Sequence, residues 1–168
     1  LLFDTPRPEG YGLQLWSADL YPEDAGIDFS EFMIVPWNSL NCDVFLNWDD
    51  EGYYYLQAGN LETDIMEYGP TGTLQDVNYA PETGWDPYGW VEIREGYSYI
   101  VWTASNHFAH IRVVSIYEEY ISLEWSYQTD TGNPELSVRD KNPKTVSEIQ
   151  IREREYENRS NIVERSLR

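Results

Sequence analysis

Three observations predict an all-β protein, specifically an antiparallel β-sandwich. Residues 97–128 hold three successive stretches rich in aromatic and β-branched side chains, with turn residues between them. The last of these, Tyr120 to Gln128, alternates: Ile121, Leu123, Trp125 and Tyr127 fall on one face, Ser122, Glu124, Ser126 and Gln128 on the other. A period of two with one apolar face is the pattern of a half-buried strand. Aromatic residues make up 15% of the chain, mostly Tyr (14) and Trp (7), a composition that favours strands and half-wet surfaces.

Taken in order, residues 1–12 contain Pro6, Pro8, Gly10 and Gly12 and read as an irregular lead-in. Leu13 to Leu20 is a candidate strand and Tyr21 to Ile27 a turn. Phe32 to Val35 is a short strand stopped by Pro36. Cys42 to Trp48 is a better one, closed by Asp49-Asp50-Glu51-Gly52, and Tyr53 to Ala58 follows at hairpin spacing. Leu61 to Tyr68 fits either a strand or a helical turn. Tyr68 to Gly89 holds four Gly and three Pro and reads as a long loop, a type that often carries function. Trp90 to Arg94 leads into the meander: Tyr97 to Ala104, Phe108 to Ile116, then Tyr120 to Gln128, with short connections that make neighbours antiparallel. Asp130 to Pro134 breaks the pattern. This divides the chain into a sandwich over 1–133 and a C-terminal extension over 134–168.

Charge divides it at nearly the same place. The net charge is −19. Residues 1–138 carry three arginines against 24 carboxylates, a net of −21, whereas residues 139–168 carry eight cations against six carboxylates, a net of +2. So acidic a body disfavours nucleic acid and anionic membrane as partners. No apolar run is long enough to span a membrane. The basic extension calls for an acidic surface, its own body or a neighbouring copy. Val146, Ile149 and Ile151 alternate as a strand could, beside Arg152 and Arg154. An added strand on another subunit, a polar helix and a disordered end all remain open. Cys42 is the single cysteine, which excludes an internal disulfide, and it reads as a small buried hydrophobe. The chain begins Leu-Leu-Phe rather than Met, as a processed precursor would.

The meander also carries a resemblance. Gly96, Tyr99 and Thr103 in the first strand are followed by Phe108, Ala109, Arg112 and Val113 in the second, then Trp125, Tyr127 and Gln128 in the third. This series resembles secreted bacterial β-sandwich modules of unknown function, built on Gly-x-x-Tyr…Thr, Tyr-Ala-x-x-Arg-Val and Trp-x-Tyr-Gln. The resemblance implies an exported sandwich, extracellular, at the cell surface or in the periplasm. A more remote likeness is to haem-carrier lipoproteins of the HmuY type, which implies a haem ligand. The only two histidines, His107 and His110, start a strand, where positions three apart point to opposite faces, so a shared metal or haem site is awkward.

Other constellations are looser. Asn47, Asp49, Asp50 and Glu51 cluster at one turn, Asp130, Asn133 and Glu135 at another, and Glu23, Asp24 and Asp28 at a third; Ca²⁺ takes hard oxygen ligands of this kind, although no EF-hand spacing is present. The structural reading of the same residues is solvated turns. With 30 carboxylates in the chain, a glycosidase-like pair carries no information. There is no Gly-x-Ser-x-Gly, no phosphate-binding glycine loop and no His-Glu-x-x-His. Tyr53-Tyr54-Tyr55 must place rings on both faces of one strand, and Trp85, Tyr88 and Trp90 crowd a Gly/Pro-rich loop as interface anchors, a sugar platform or core covers. The expected function is a non-enzymatic structural or adhesive module, its partner another copy of itself or another surface protein, met through the extension. A carbohydrate-binding module is the alternative and a small-ligand or haem carrier the third reading.

Overall fold

The computed structural model describes residues 7–137, in which ten strands follow one another: β1 (Glu9–Trp16), β2 (Gly26–Asp28), β3 (Met33–Val35), β4 (Val44–Trp48), β5 (Tyr54–Ala58), β6 (Asp64–Pro70), β7 (Trp90–Glu92), β8 (Tyr97–Trp102), β9 (Phe108–Ile116) and β10 (Tyr120–Tyr127). They form two five-stranded antiparallel sheets, ordered β1-β10-β9-β8-β6 and β3-β2-β4-β5-β7. The protein is an antiparallel β-sandwich.

Alternation places the core. Ile121, Leu123, Trp125 and Tyr127 of β10 face inward with Ala109, Ile111 and Val113 of β9 and Tyr99 and Val101 of β8. Val44 and Leu46, Leu56, and Val91 meet them from the other sheet. Each such side chain, fully buried, contributes about 1.5–3 kcal/mol. Trp125 needs one further concession from the sequence. A Cβ on Gly10 would overlap the indole ring at Nε1, so only glycine lets β1 pass over that ring, and the β1–β10 register shifts between Gly10 and Leu13.

Two elements differ from the sequence-based expectation, and a third, left open there, is decided. β1 begins at Glu9, inside the supposed lead-in, because its pairing with β10 runs on past the bulge. Gly26–Asp28 lies in and just after the expected turn, yet it is a strand hydrogen-bonded on both sides, to β3 and β4. The ambiguous segment after Leu61 is strand β6, paired with β8 from Asp64 to Pro70.

The long loop is a cover. Residues 71–89 cross the outer face of the first sheet, where Val77, Ala80 and Trp85 pack on Met66, Ile100 and Phe108. Thr73 and Asp76 cap a short 3-10 turn at Leu74–Asp76 within it. Pro134 to Ser137, placed at the head of the extension from the sequence, tie this cover down. The Ala80 amide donates to the Pro134 carbonyl (2.7 Å), the Leu136 amide donates to Asn78 (2.7 Å), and Leu136 is buried in the same cluster. Among the described residues no helix is long and apolar enough to cross a membrane.

Candidate functional site

The outer face of the second sheet is closed at one end, where Phe45 is buried with Val35 and Cys42, and open toward β7; pair register decides what stands there. Directly opposed residues of antiparallel strands share a face. Phe45 opposes Gln57, which opposes Trp90; Asn47 opposes Tyr55, which opposes Glu92. Two cross-strand rows therefore run side by side, one of Phe45, Gln57 and Trp90, the other of Asn47, Tyr55 and Glu92. Val44, Leu46 and Leu56, the alternates of these positions, are buried in the core on the opposite face. Trp37 extends the first row, its ring 5.5 Å from Phe45.

Trp90 and Tyr55 form the centre of this face. Their rings meet edge to face at 4.9 Å and 85°, a favoured aromatic geometry. Trp90 remains 44% exposed. With Asn47, Asp49 and Gln57 they line an open groove of about 330 Å³. A second lobe of about 300 Å³ continues past Asn47 and Asp49 to Trp48, Asp50, Gly52 and Asp19. An apolar ring face beside amides and a carboxylate is the mixture that orients a small polar ligand.

The polar side of the groove is preorganised by the β4–β5 turn. The Asp49 carboxylate accepts the Glu51 and Tyr53 amides, both at 3.0 Å, and the Tyr55 hydroxyl at 2.9 Å. These donors, the Tyr53 amide foremost, hold its pKa below the usual carboxylate value. Its own hydrogen bond to Asp49, aided by burial and the Asp49 charge, pushes the Tyr55 phenol up to about 12. On the opposite bank Asp86 builds the turn that presents Trp90: its carboxylate accepts the Tyr88 amide at 2.8 Å and the Trp90 amide at 3.3 Å.

The loop aromatics thus part company. Trp85 turns to the first sheet, 5.8 Å from Trp102 and 6.3 Å from Phe108, as part of the cover. Tyr88 is 80% exposed at the loop tip. Only Trp90 lines the groove. Gln57, Phe45 and Trp37 enter the face unannounced. The signal for Gln57 lay in the spacing of Tyr53, Tyr55 and Gln57, which puts all three on one face of a strand. Tyr54, between them, turns inward and donates its hydroxyl to the Glu118 carbonyl.

The acidic clusters serve their own turns. Asn47 Oδ1 accepts the Trp48 amide, and Asn133 Oδ1 accepts the Glu135 amide at 3.0 Å. The Glu135 carboxylate meets Arg7 at 3.1 Å, while Asp130 donates its amide to the Gln128 side chain. Glu23 and Asp24 lie in a short 3-10 turn, and Asp28 is buried, accepting from Ser30 and Glu31. Among the described residues no group of three or more His, Cys, Asp or Glu side chains is placed to hold a metal ion. The two histidines do not meet. His107 Nδ1 is 3.0 Å from the Gln128 carbonyl, whereas His110 is fully buried with Nε2 2.7 Å from Ser98 Oγ. Cys42 is buried, and burial pushes its thiol up to about 12, the state of an inert packing residue. Val146, Ile149, Ile151, Arg152 and Arg154 lie outside the described residues.

No protein-family model matches the chain, and no curated protein matches it.

Proposed function

We propose that the protein is a non-enzymatic carbohydrate-binding module whose ligand face is the outer surface of β4, β5 and β7. One observation carries this reading: the register that sets Gln57 and Trp90 beside Asn47, Tyr55 and Glu92 on the open part of the sheet face. A pyranose ring has an apolar C–H face and a rim of hydroxyls. Trp90 offers the flat apolar surface, and Gln57, Asn47 and Asp49 offer hydrogen-bond partners at its edge. The two-lobed groove divided by Asn47 and Asp49 has room for more than one sugar unit. The carboxylates along it favour neutral or amino sugars over acidic ones.

A binding role rather than catalysis fits the titratable groups. The buried Ser98–His110 pair lies under the loop cover rather than in the groove, and the Cys42 thiol is packed away. Polysaccharide is met outside the cell or at its surface, which agrees with the exported modules that the meander resembles.

The test is a panel of soluble oligosaccharides and insoluble polysaccharides, read by calorimetry and pull-down, with Trp90→Ala alongside. Binding by the intact protein, weakened about tenfold or more in the variant as loss of an aromatic anchor requires, supports the reading. A silent panel, or binding that Trp90→Ala leaves untouched, rejects it.

A further inference from the structure

A second aromatic surface lies at the end of the sandwich where β9 turns into β10. Four rings follow one another there. Tyr117 stacks on Tyr120 at 4.6 Å, Tyr120 lies 4.6 Å from Trp16, and Trp16 meets Tyr21 edge-on at 4.7 Å. The two outer rings are the exposed ones, Tyr21 at 39% and Tyr117 at 47%. Glu118 and Glu119 stand in the same turn, and Tyr21 donates its hydroxyl to Glu119 at 2.9 Å. The surface is thus a ladder of π faces rimmed by carboxylates, suited to a guanidinium.

The described body has no uncommitted cation for it. Residues 7–137 contain no lysine and three arginines, and each arginine already faces a carboxylate: Arg7 with Glu135 at 3.1 Å, Arg94 with Glu67 at 4.0 Å, Arg112 with Glu124 at 3.6 Å. The remaining eight cations all lie between Arg139 and Arg168. The body also shows the contact in question, Arg94 lying 5.4 Å over the Tyr97 ring.

We propose that the Tyr117–Tyr120–Trp16–Tyr21 ladder is the docking surface for the chain's own arginine-bearing segment around Arg152 and Arg154. Reach supports attachment within one molecule. Glu135 is held by Gln128, just past the far end of β10, so eight strand residues, about 26 Å, separate the root of the segment from the ladder. Arg152 follows Ser137 by 15 residues, and 15 residues span at most about 50 Å, so the ladder lies within reach. A tether able to span the gap raises the effective concentration toward the millimolar range, enough to hold a weak site that free copies at micromolar concentration would leave empty. This inference is independent of the glycan reading, which rests on other residues.

Limited trypsinolysis of the full chain tests it. With the segment docked, cleavage after Arg152 and Arg154 is expected to be about five- to tenfold slower than in Tyr21→Ala/Tyr117→Ala, since the open population sets the rate. Glu118→Gln/Glu119→Gln should remove the same protection, as should about 1 M NaCl, where the Debye length falls to about 3 Å. Trp90→Ala should keep it, and thermal melts report whether each variant is folded. Equal rates in the intact chain and both ladder variants overturn the proposal. So does protection that rises with protein concentration, which would mean a second copy's segment, or protection lost in Trp90→Ala but kept in the ladder variants.

Discussion

Asp43 accepts the backbone amide of Phe29 through Oδ2 at 2.8 Å, in the buried strip between β2 and β4. Burial drives this carboxyl up to about 7; the Phe29 amide opposes the rise and the Asp28 charge adds to it. A folded pKa above the unfolded value of 3.8 means that the native state holds the extra proton. Stability from this group is therefore complete below about pH 4 and is lost as pH climbs toward 7. Asp43→Asn keeps an acceptor for Phe29 but cannot ionise. Relative to the intact protein, its unfolding free energy in urea should hold up better between about pH 4 and 7.5, by an amount on the order of 2–3 kcal/mol. Parallel curves for the two proteins would mean that the site is wet and the carboxyl ordinary.

His110 works in the opposite direction. It is buried beneath the 71–80 stretch with Nε2 against Ser98 Oγ, and that hydroxyl lies 2.6 Å from Thr71 Oγ1. Burial, then the Arg112 charge, lowers its pKa to about 3 against the pull of Asp76 and the Leu74 carbonyl. Here the unfolded chain binds the proton first, so stability is present above about pH 6.5 and falls away as pH drops toward 3. Between about pH 4 and 6.5 the two groups nearly cancel. His110→Gln, which keeps a polar contact for Ser98, should show stability falling with pH across that window, whereas Asp43→Asn should show it rising. The double variant should restore the flatter profile of the intact protein. Chemical denaturation at a series of pH values reads all three slopes.

Close approach at Gly59 makes a steric prediction. A Cβ there would overlap the Cys42 carbonyl oxygen and sit 2.9 Å from its sulfur, both buried and neither at the end of a flexible side chain. Gly59 also donates its amide to Asp43, so the chain cannot swing aside without losing a hydrogen bond. Gly59→Ala should cost about 2–3 kcal/mol, a fall in melting temperature of about 6–10 °C for a domain of this size. Gly12→Ala supplies the contrast. That residue has φ +70° with nothing within 4 Å of an added Cβ, so its cost is backbone strain alone, about 1–2 kcal/mol.

The meander was legible because β10 packs one face on the core and obeys a period of two, while β8 and β9, covered on both faces, read as runs of aromatic and β-branched residues. β2 was hidden for the converse reason. Three residues with a glycine at the head carry no period, and pairing with both β3 and β4 holds them extended. The candidate site was half legible. Asn47, Asp49 and Trp90 stood out by type, but as a metal turn and a loop cluster. Their union in one groove is a consequence of register between β4, β5 and β7, a long-range property that no local window contains. The same limit grouped Trp85 with Trp90 by proximity in sequence, although the chain sends them to opposite sheets.

That separation yields the sharpest contrast between two tryptophans. Trp85 packs on Trp102 and Phe108 over the outer face of the first sheet, beside buried Met66 and Ile100. Truncating it strips a half-buried ring from the apolar cluster, so Trp85→Ala should cost about 2 kcal/mol of stability while leaving the groove intact. Trp90 faces solvent on one side and meets Tyr55 on the other. Trp90→Ala forfeits one edge-to-face contact, about 1 kcal/mol, yet removes the flat surface on which a sugar would lie. Thermal melts and oligosaccharide titrations on the two variants should therefore give a crossed result, stability lost in one and affinity lost in the other. If Trp85→Ala also abolished binding in a protein still folded at the assay temperature, the ligand face would have to be sought on the first sheet. The Phe45–Gln57–Trp90 row would then be a surface without a ligand.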